Sequence, residues 1–209
     1  MELLSDIAYL AVIITGIFTL IYRRKYNTVF YKYFLAYIIM AIVVESLGVI
    51  LTSYRISNIV VYNVYTFFEF NFVALIYYTL TKEEVSHLWI KYLMIFFNGI
   101  YFLSFIFKIL EKSTVLLGAM VVCVFMVFYL KELLKSDKII RFQKDLSFWI
   151  TVGFLIYYLT TMPFYTVFYI FGYDAKSEGP NLFILQSVII IFTHICFISG
   201  IIWSSKEKN

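Results

Sequence analysis

An all-α bundle of seven membrane-spanning helices is the fold class this sequence predicts, and three observations carry that expectation. The 209 residues are 63% hydrophobic and only 14% charged, whereas a soluble domain carries about 25% charged and 45–50% apolar residues. Seven apolar segments approach or exceed the roughly 20 residues that a helix needs to cross a bilayer. The gaps between them are short, none large enough to fold as a soluble unit, so residues 1–209 read as one transmembrane domain.

The first segment, Asp6–Tyr22, follows "MELLSD" and has no small-residue cleavage site behind it. It therefore reads as a membrane helix, not a secretory leader. The second, Tyr33–Thr52, places Tyr37, Ala41, Glu45, Gly48 and Thr52 at helical spacing, which makes one small and polar stripe. The third, Asn58–Leu80, carries Glu69 at its centre, with Tyr62 and Tyr65 on the same face and Asn63 and Asn71 on others. The fourth, Leu88–Leu110, contributes Asn98, and the fifth, Thr114–Leu134, contains Cys123. In the sixth, Leu146–Phe171, a stripe of Tyr158, Thr161 and Tyr165 runs beside Pro163, which is expected to kink the helix and free a carbonyl. The seventh, Asn181–Trp203, has Gln186, Thr193 and Phe197 near one face and His194 at its edge.

The basic residues predict an orientation. Thirteen Lys and Arg fall at one set of helix ends and four (Arg55, Lys108, Lys112 and Lys176) at the other. The richer side is expected to be cytoplasmic, with the N-terminus outside, the C-terminus inside, and the chain in a bacterial cytoplasmic (inner) membrane. The fifth gap, Lys131–Asp145, holds five of these basic residues. It reads as a topology signal in contact with anionic headgroups. Tyr22, Trp89, Trp149 and Trp203 read as interface anchors, and His87 as a solvated residue at the rim.

Polar residues inside the membrane point to a site. At 1.5 Å per residue, Glu69 lies within about 2 Å of the bilayer midplane. Glu45, Asn98, Thr161 and His194 lie within about 3 Å of it on the same count. Gln186 lies two turns further out on the seventh helix. An acidic residue at that depth costs about 2.5–3.5 kcal/mol on insertion scales, and ionisable groups there are functional by default. Glu45, Glu69, His194, Asn98, Thr161 and Gln186 are accordingly the candidate ligand or proton site. They are expected to form one polar layer among helices two, three, four, six and seven. No intramembrane Lys or Arg neutralises the two glutamates, so a proton, a cation, water or His194 must.

Several classes are excluded or disfavoured. The net charge of +4 arises from loop residues that set topology and does not imply nucleic acid. Cys123 and Cys196 both lie in apolar runs and read as free thiols. A carboxylate and imidazole set suits several divalent ions, but nothing in the spacing requires a metal, and no cofactor is expected. No H-E-x-x-H, C-x-x-C, G-x-S-x-G or phosphate-binding glycine loop occurs, so an enzyme is the least favoured reading. Likeness between Ile17–Lys25 and Val124–Glu132 raises a 3+1+3 repeat, but the next helix pairs align poorly. Retinal-binding rhodopsins need a Lys in the last helix, which "FILQSVIIIFTHICFISGIIW" lacks. Seven-helix sugar carriers need Pro-Gln, and neither Pro163 nor Pro180 is followed by Gln. Ceramidase-like hydrolases need several histidines, and only His87 and His194 are present.

The segment "VYNVYTFFEFNF", Val61–Phe72, resembles a stretch of uncharacterised bacterial seven-helix proteins, some of them similar to the membrane sensor portions of signalling proteins. The resemblance implies the general architecture and no known ligand. The expected function is a sensing or accessory subunit whose midplane site binds a small ligand, ion or proton and acts through a cytoplasmic or membrane partner. A small-solute or proton-coupled transporter, and a membrane-perturbing effector or pore that assembles as a homo-oligomer under a cytoplasmic system, are the alternatives.

Overall fold

The computed structural model describes residues 2–107, 111–166 and 179–205. Seven helices run through them: α1 (Glu2–Ile21), α2 (Val29–Ser53), α3 (Ile59–Leu80), α4 (Glu84–Ile106), α5 (Glu111–Lys135), α6 (Leu146–Tyr165) and α7 (Gly179–Trp203). Each contains a stretch long and apolar enough to cross a membrane. In hydrocarbon every backbone N–H and C=O must be satisfied within the segment, which selects helix for such runs. No strand occurs among the described residues.

The boundaries depart from the sequence expectation in instructive places. α4 begins at Glu84, because an acidic residue is favourable in a first helical turn. The far ends expected for the fourth and sixth helices, at Leu110 and Phe171, lie outside the described residues. Pro163 falls in the last turn of α6. The fifth gap is largely structured: α5 continues to Lys135, and Asp137–Lys144 winds into 3₁₀ turns.

Six helices close a ring in the order α1, α2, α3, α5, α6, α7, with α7 returning to α1; α4 packs outside it, in the groove between α3 and α5. The space across the ring is filled by aromatic side chains, and Phe154 on α6 is their meeting point. Its ring lies 6.4 and 5.2 Å from Phe34 and Tyr37 on α2. It also lies 6.4 Å from Tyr77 on α3, 6.1 Å from Tyr158 and 5.2 Å from Phe197 on α7. Gly153 permits this convergence. A β-carbon there would sit 2.8 Å from Phe197 Cδ1 and 3.2 Å from the Thr193 carbonyl oxygen.

On α3 packing is unequal along the bundle axis. In α3 no side chain from Ile59 through Glu69 is buried, whereas Phe70, Val73, Ala74, Ile76 and Tyr77 all are. The sealed half lies toward the end that carries Lys25, Thr81, Asp145 and Ser204, called here the basic end. That end is also latched. The Tyr26 hydroxyl lies 3.0 and 2.9 Å from the carbonyl oxygens of Ile201 and Ser204, which satisfies acceptors left open at the end of α7. Ser205 N–H donates to the Lys144 carbonyl at 3.0 Å. Asp145 caps α6 through Ser147 N–H at 3.0 Å. His87 is not simply solvated: its Nε2 donates to the Thr81 carbonyl at 2.6 Å, and its ring lies over Tyr78 at 4.5 Å. Glu83 pairs with Lys135 at 2.9 Å and Lys131 at 3.4 Å, which ties the α3–α4 turn to α5.

Two measurements check this arrangement. Gly153→Ala pushes a β-carbon into a ring held on several sides and into backbone, so it is expected to destabilise the bundle by about 1–3 kcal/mol; a melt of the variant in mild detergent reads this, and an unchanged transition would contradict the packing. The Lys135 ammonium, and then Lys131, hold the Glu83 carboxyl below the usual carboxylate range. Its contribution is therefore fully present above the unfolded pKa and is lost as pH falls through the folded one. In an NMR titration the Glu83 midpoint is expected to rise in Lys135→Gln and in high salt, since this pair is exposed and screened.

Candidate functional site

The half of the ring away from the basic end holds two carboxyl groups among phenols. Glu69 sits at the middle of α3 and accepts a hydrogen bond from the Tyr158 hydroxyl of α6 at 2.9 Å, across the ring. Glu45 on α2 accepts from the Tyr62 hydroxyl of α3 at 3.4 Å. Gly48, one turn along from Glu45, makes that second contact: a β-carbon at Gly48 would lie 2.7 Å from the Tyr62 oxygen. Tyr157 packs edge-on to Tyr158 with centroids 5.0 Å apart.

These groups are not sealed in. Glu45, Tyr62, Tyr65, Glu69 and Tyr157 are all half-buried. Among the described residues neither glutamate has a salt-bridge partner; the pairs found all involve Glu83. An ionised carboxylate offers about four acceptor positions, yet among the described residues each of these receives one hydrogen bond. The arrangement is suited to taking up a proton, a cation or a hydrogen-bond donor, and it offers nothing to an anion.

The single polar layer expected from depth is divided by the structure into separate groups. The stripes of α2, α3 and α6 do converge, through Glu45, Glu69, Tyr37, Tyr62, Tyr65 and Tyr158. Asn98 does not join them, because α4 stands outside the ring. It forms instead a reciprocal amide pair with Asn71, both N–H to O distances being 3.0 Å, and Asn71 also donates to the Phe67 carbonyl at 2.8 Å. His194 is likewise diverted. Phe197, three residues on, takes the inward direction of α7, which turns His194 about 60° toward α1 at 100° per residue. There its Nδ1 lies 2.9 Å from the Thr15 hydroxyl. Thr15 Oγ1 also lies 2.8 Å from the Ala11 carbonyl oxygen. The basic group that was expected to offset the glutamates is therefore used on the α1–α7 seam.

Thr161 is buried on α6, one turn from Tyr158 on the same face. Gln186 is half-buried on α7, toward the same end of the bundle as Glu45, and has no hydrogen bond among the described residues. The Tyr165 side chain lies outside the described residues. Sequence reasoning undervalued Asn71; only a partner on α4 gives its face a meaning. Among the described residues no three His, Cys, Asp or Glu side chains come together in a way that would hold a metal. No protein family, curated protein or solved structure matches this chain, so the site is read from its own chemistry.

Removing one amide of the Asn71–Asn98 pair leaves the other unsatisfied. Asn71→Leu and Asn98→Leu are each expected to cost about 1–2 kcal/mol, and the double variant less than their sum, with a coupling of about 0.6–1.7 kcal/mol. Additive costs in a double-mutant cycle on detergent-solubilised protein would contradict the pair.

Proposed function

We propose that this chain is a membrane-embedded sensing or accessory subunit. A small ligand, ion or proton enters from one side, occupies the Glu45–Glu69 site and is reported to a partner protein at the basic end. The observation that carries the reading is the packing asymmetry of α3. Glu45, Tyr62, Tyr65 and Glu69 stay partly accessible, whereas Phe34, Tyr77, Phe154 and Phe197 beneath them are buried. A partly accessible acid–phenol group above a sealed aromatic floor suits binding and reporting.

Orientation enters here as part of the proposal. The excess of basic residues supports the sealed end facing the cytoplasm, so the acid–phenol group is reached from outside in a bacterial inner membrane. The floor supplies a route for the report. Tyr158 donates to Glu69 and packs on Phe154, and Phe154 packs on Tyr77, whose hydroxyl meets Thr151 at 3.2 Å. Nearer the basic end Tyr129 meets Ser147 at 2.7 Å, and Ser147 donates to Asp145 at 2.6 Å. These contacts lead to the basic Asp137–Lys144 turns, where a cytoplasmic partner has a surface to read.

A proton-coupled carrier is the second reading, favoured by the absence of a basic partner for either glutamate. Sidedness separates the two. With Cys123 and Cys196 replaced by Ala, Tyr62→Cys, at a half-buried position beside Glu45, is expected to react with a membrane-impermeant thiol reagent added outside, and not with reagent added at the basic face. Labelling from both faces, together with solute or proton flux in liposomes that Glu69→Gln abolishes, would establish the carrier. No labelling from either face would remove the accessible site. Glu69→Gln and Glu45→Gln are expected to insert normally and to lose the response; wild-type behaviour in both would sink the site assignment.

A further inference from the structure

Among the described residues three buried side-chain oxygens have no hydrogen-bond partner: Asp145 Oδ2, Ser204 Oγ and Thr28 Oγ1. All three lie at the basic end, away from the acid–phenol group. We propose that the seam between the start of α6 and the end of α7 binds a sodium ion, held by Asp145 Oδ2 and Ser204 Oγ.

The packing of the two helices brings these oxygens to one place. Gly200 turns toward the first turn of α6: a β-carbon there would press on Trp149 Cβ and lie 3.4 Å from Leu146 Cδ1. Ser204 N–H donates to the Gly200 carbonyl at 3.0 Å, so the last turn of α7 carries Ser204 over the same face. Ser204 is 2% exposed. Asp145 directly precedes Leu146, and Ser205 N–H donates to the Lys144 carbonyl at 3.0 Å. That bond, with one step of covalent geometry on each side, holds the Asp145 and Ser204 α-carbons within about 8 Å. Thr28 stands two residues from Tyr26, whose hydroxyl meets the Ile201 and Ser204 carbonyls, so its turn is laid on the same end of α7.

The chemistry of the seam calls for a cation. Asp145 Oδ1 takes both the Ser147 N–H, at 3.0 Å, and the Ser147 hydroxyl, at 2.6 Å, while Oδ2 is left without a donor. A buried carboxylate oxygen in that position is costly. No Lys or Arg pairs with Asp145 among the described residues. Lys131 and Lys135 belong to Glu83, and Lys25 is spent on the Ile201 and Ile202 carbonyls at 3.4 and 3.5 Å. The negative end of the α7 dipole adds to the demand. Size and charge narrow the choice. Neither oxygen is open to water, which favours an ion smaller than a water molecule, as sodium is. One carboxylate balances one positive charge, whereas calcium takes six to eight oxygen ligands. Sodium held here would tie the cap of α6 to the end of α7, beside the Asp137–Lys144 turns.

The test melts the full chain in dodecyl maltoside in sodium, potassium or N-methylglucamine chloride at equal ionic strength. The transition is expected to be highest in sodium. Once sodium exceeds its dissociation constant, each tenfold increase is expected to raise the folding constant about tenfold. Asp145→Asn keeps a side chain that caps as well as Asp and removes the charge; it is expected to lose the sodium dependence. Ser204→Ala is expected to need about tenfold more sodium for the same rise. Line broadening of the sodium NMR signal by the wild-type protein, weaker with either variant, reads the binding directly and without a melt. Equal transitions in sodium and N-methylglucamine chloride, an equal rise in potassium chloride, or a sodium effect undiminished in either variant would each overturn the assignment.

Discussion

The bundle depends on how a ring of six helices fills its own centre. Opposite helices do not approach closely, so side chains must span the gap, and only aromatic rings are large enough to do so from four helices at once. Phe154 meets Phe34, Tyr37, Tyr77, Tyr158 and Phe197. This explains a composition with 23 Phe and 19 Tyr but 8 Gly. Helices drawn together through small residues would leave no interior space. Helices held apart by rings leave space wherever the rings stop.

On α3 the fully buried residues stop at Glu69. Below it α3 is buried through Phe70, Val73, Ala74, Ile76 and Tyr77; above it nothing on α3 is. Site and core are thus continuous. Tyr158 belongs to both, packing on Phe154 at one side of its ring and donating to Glu69 from its hydroxyl. Tyr37 joins it from α2, with its ring on Phe154. A change in what Glu69 holds acts on side chains that also set the spacing of the helices.

The parts of this architecture legible in the sequence are those governed by the bilayer and by helical period. Apolar length defined seven helices, because hydrocarbon thickness leaves little freedom. The stripe of Tyr37, Ala41, Glu45 and Gly48, the triplet of Tyr62, Tyr65 and Glu69, and the Tyr158–Thr161 pair were visible as faces, and those faces do meet. Depth alone misled for Asn98 and His194. Depth says how far along its helix a residue lies, and nothing about which neighbour that helix turns toward. That α4 stands outside the ring, and that Phe197 claims the inward direction of α7, follow from the order in which helices pack, which no single segment records. Asn71 was undervalued for the same reason, and Gly48 found its specific role only once Tyr62 was seen beside it.

The ring closes where α7 meets α1, and Tyr26 fastens that seam through the carbonyls of Ile201 and Ser204. This has a consequence for biogenesis. Among the seven helices the closing one is the last to leave the ribosome, and Tyr158, which shields Glu69, arrives only with the helix before it. Until then Glu69 lacks the Tyr158 hydrogen bond, while Glu45 already has Tyr62 of α3 beside it. The nascent chain passes through a stage in which one central carboxyl group is without its partner, and synthesis of α6 ends that stage.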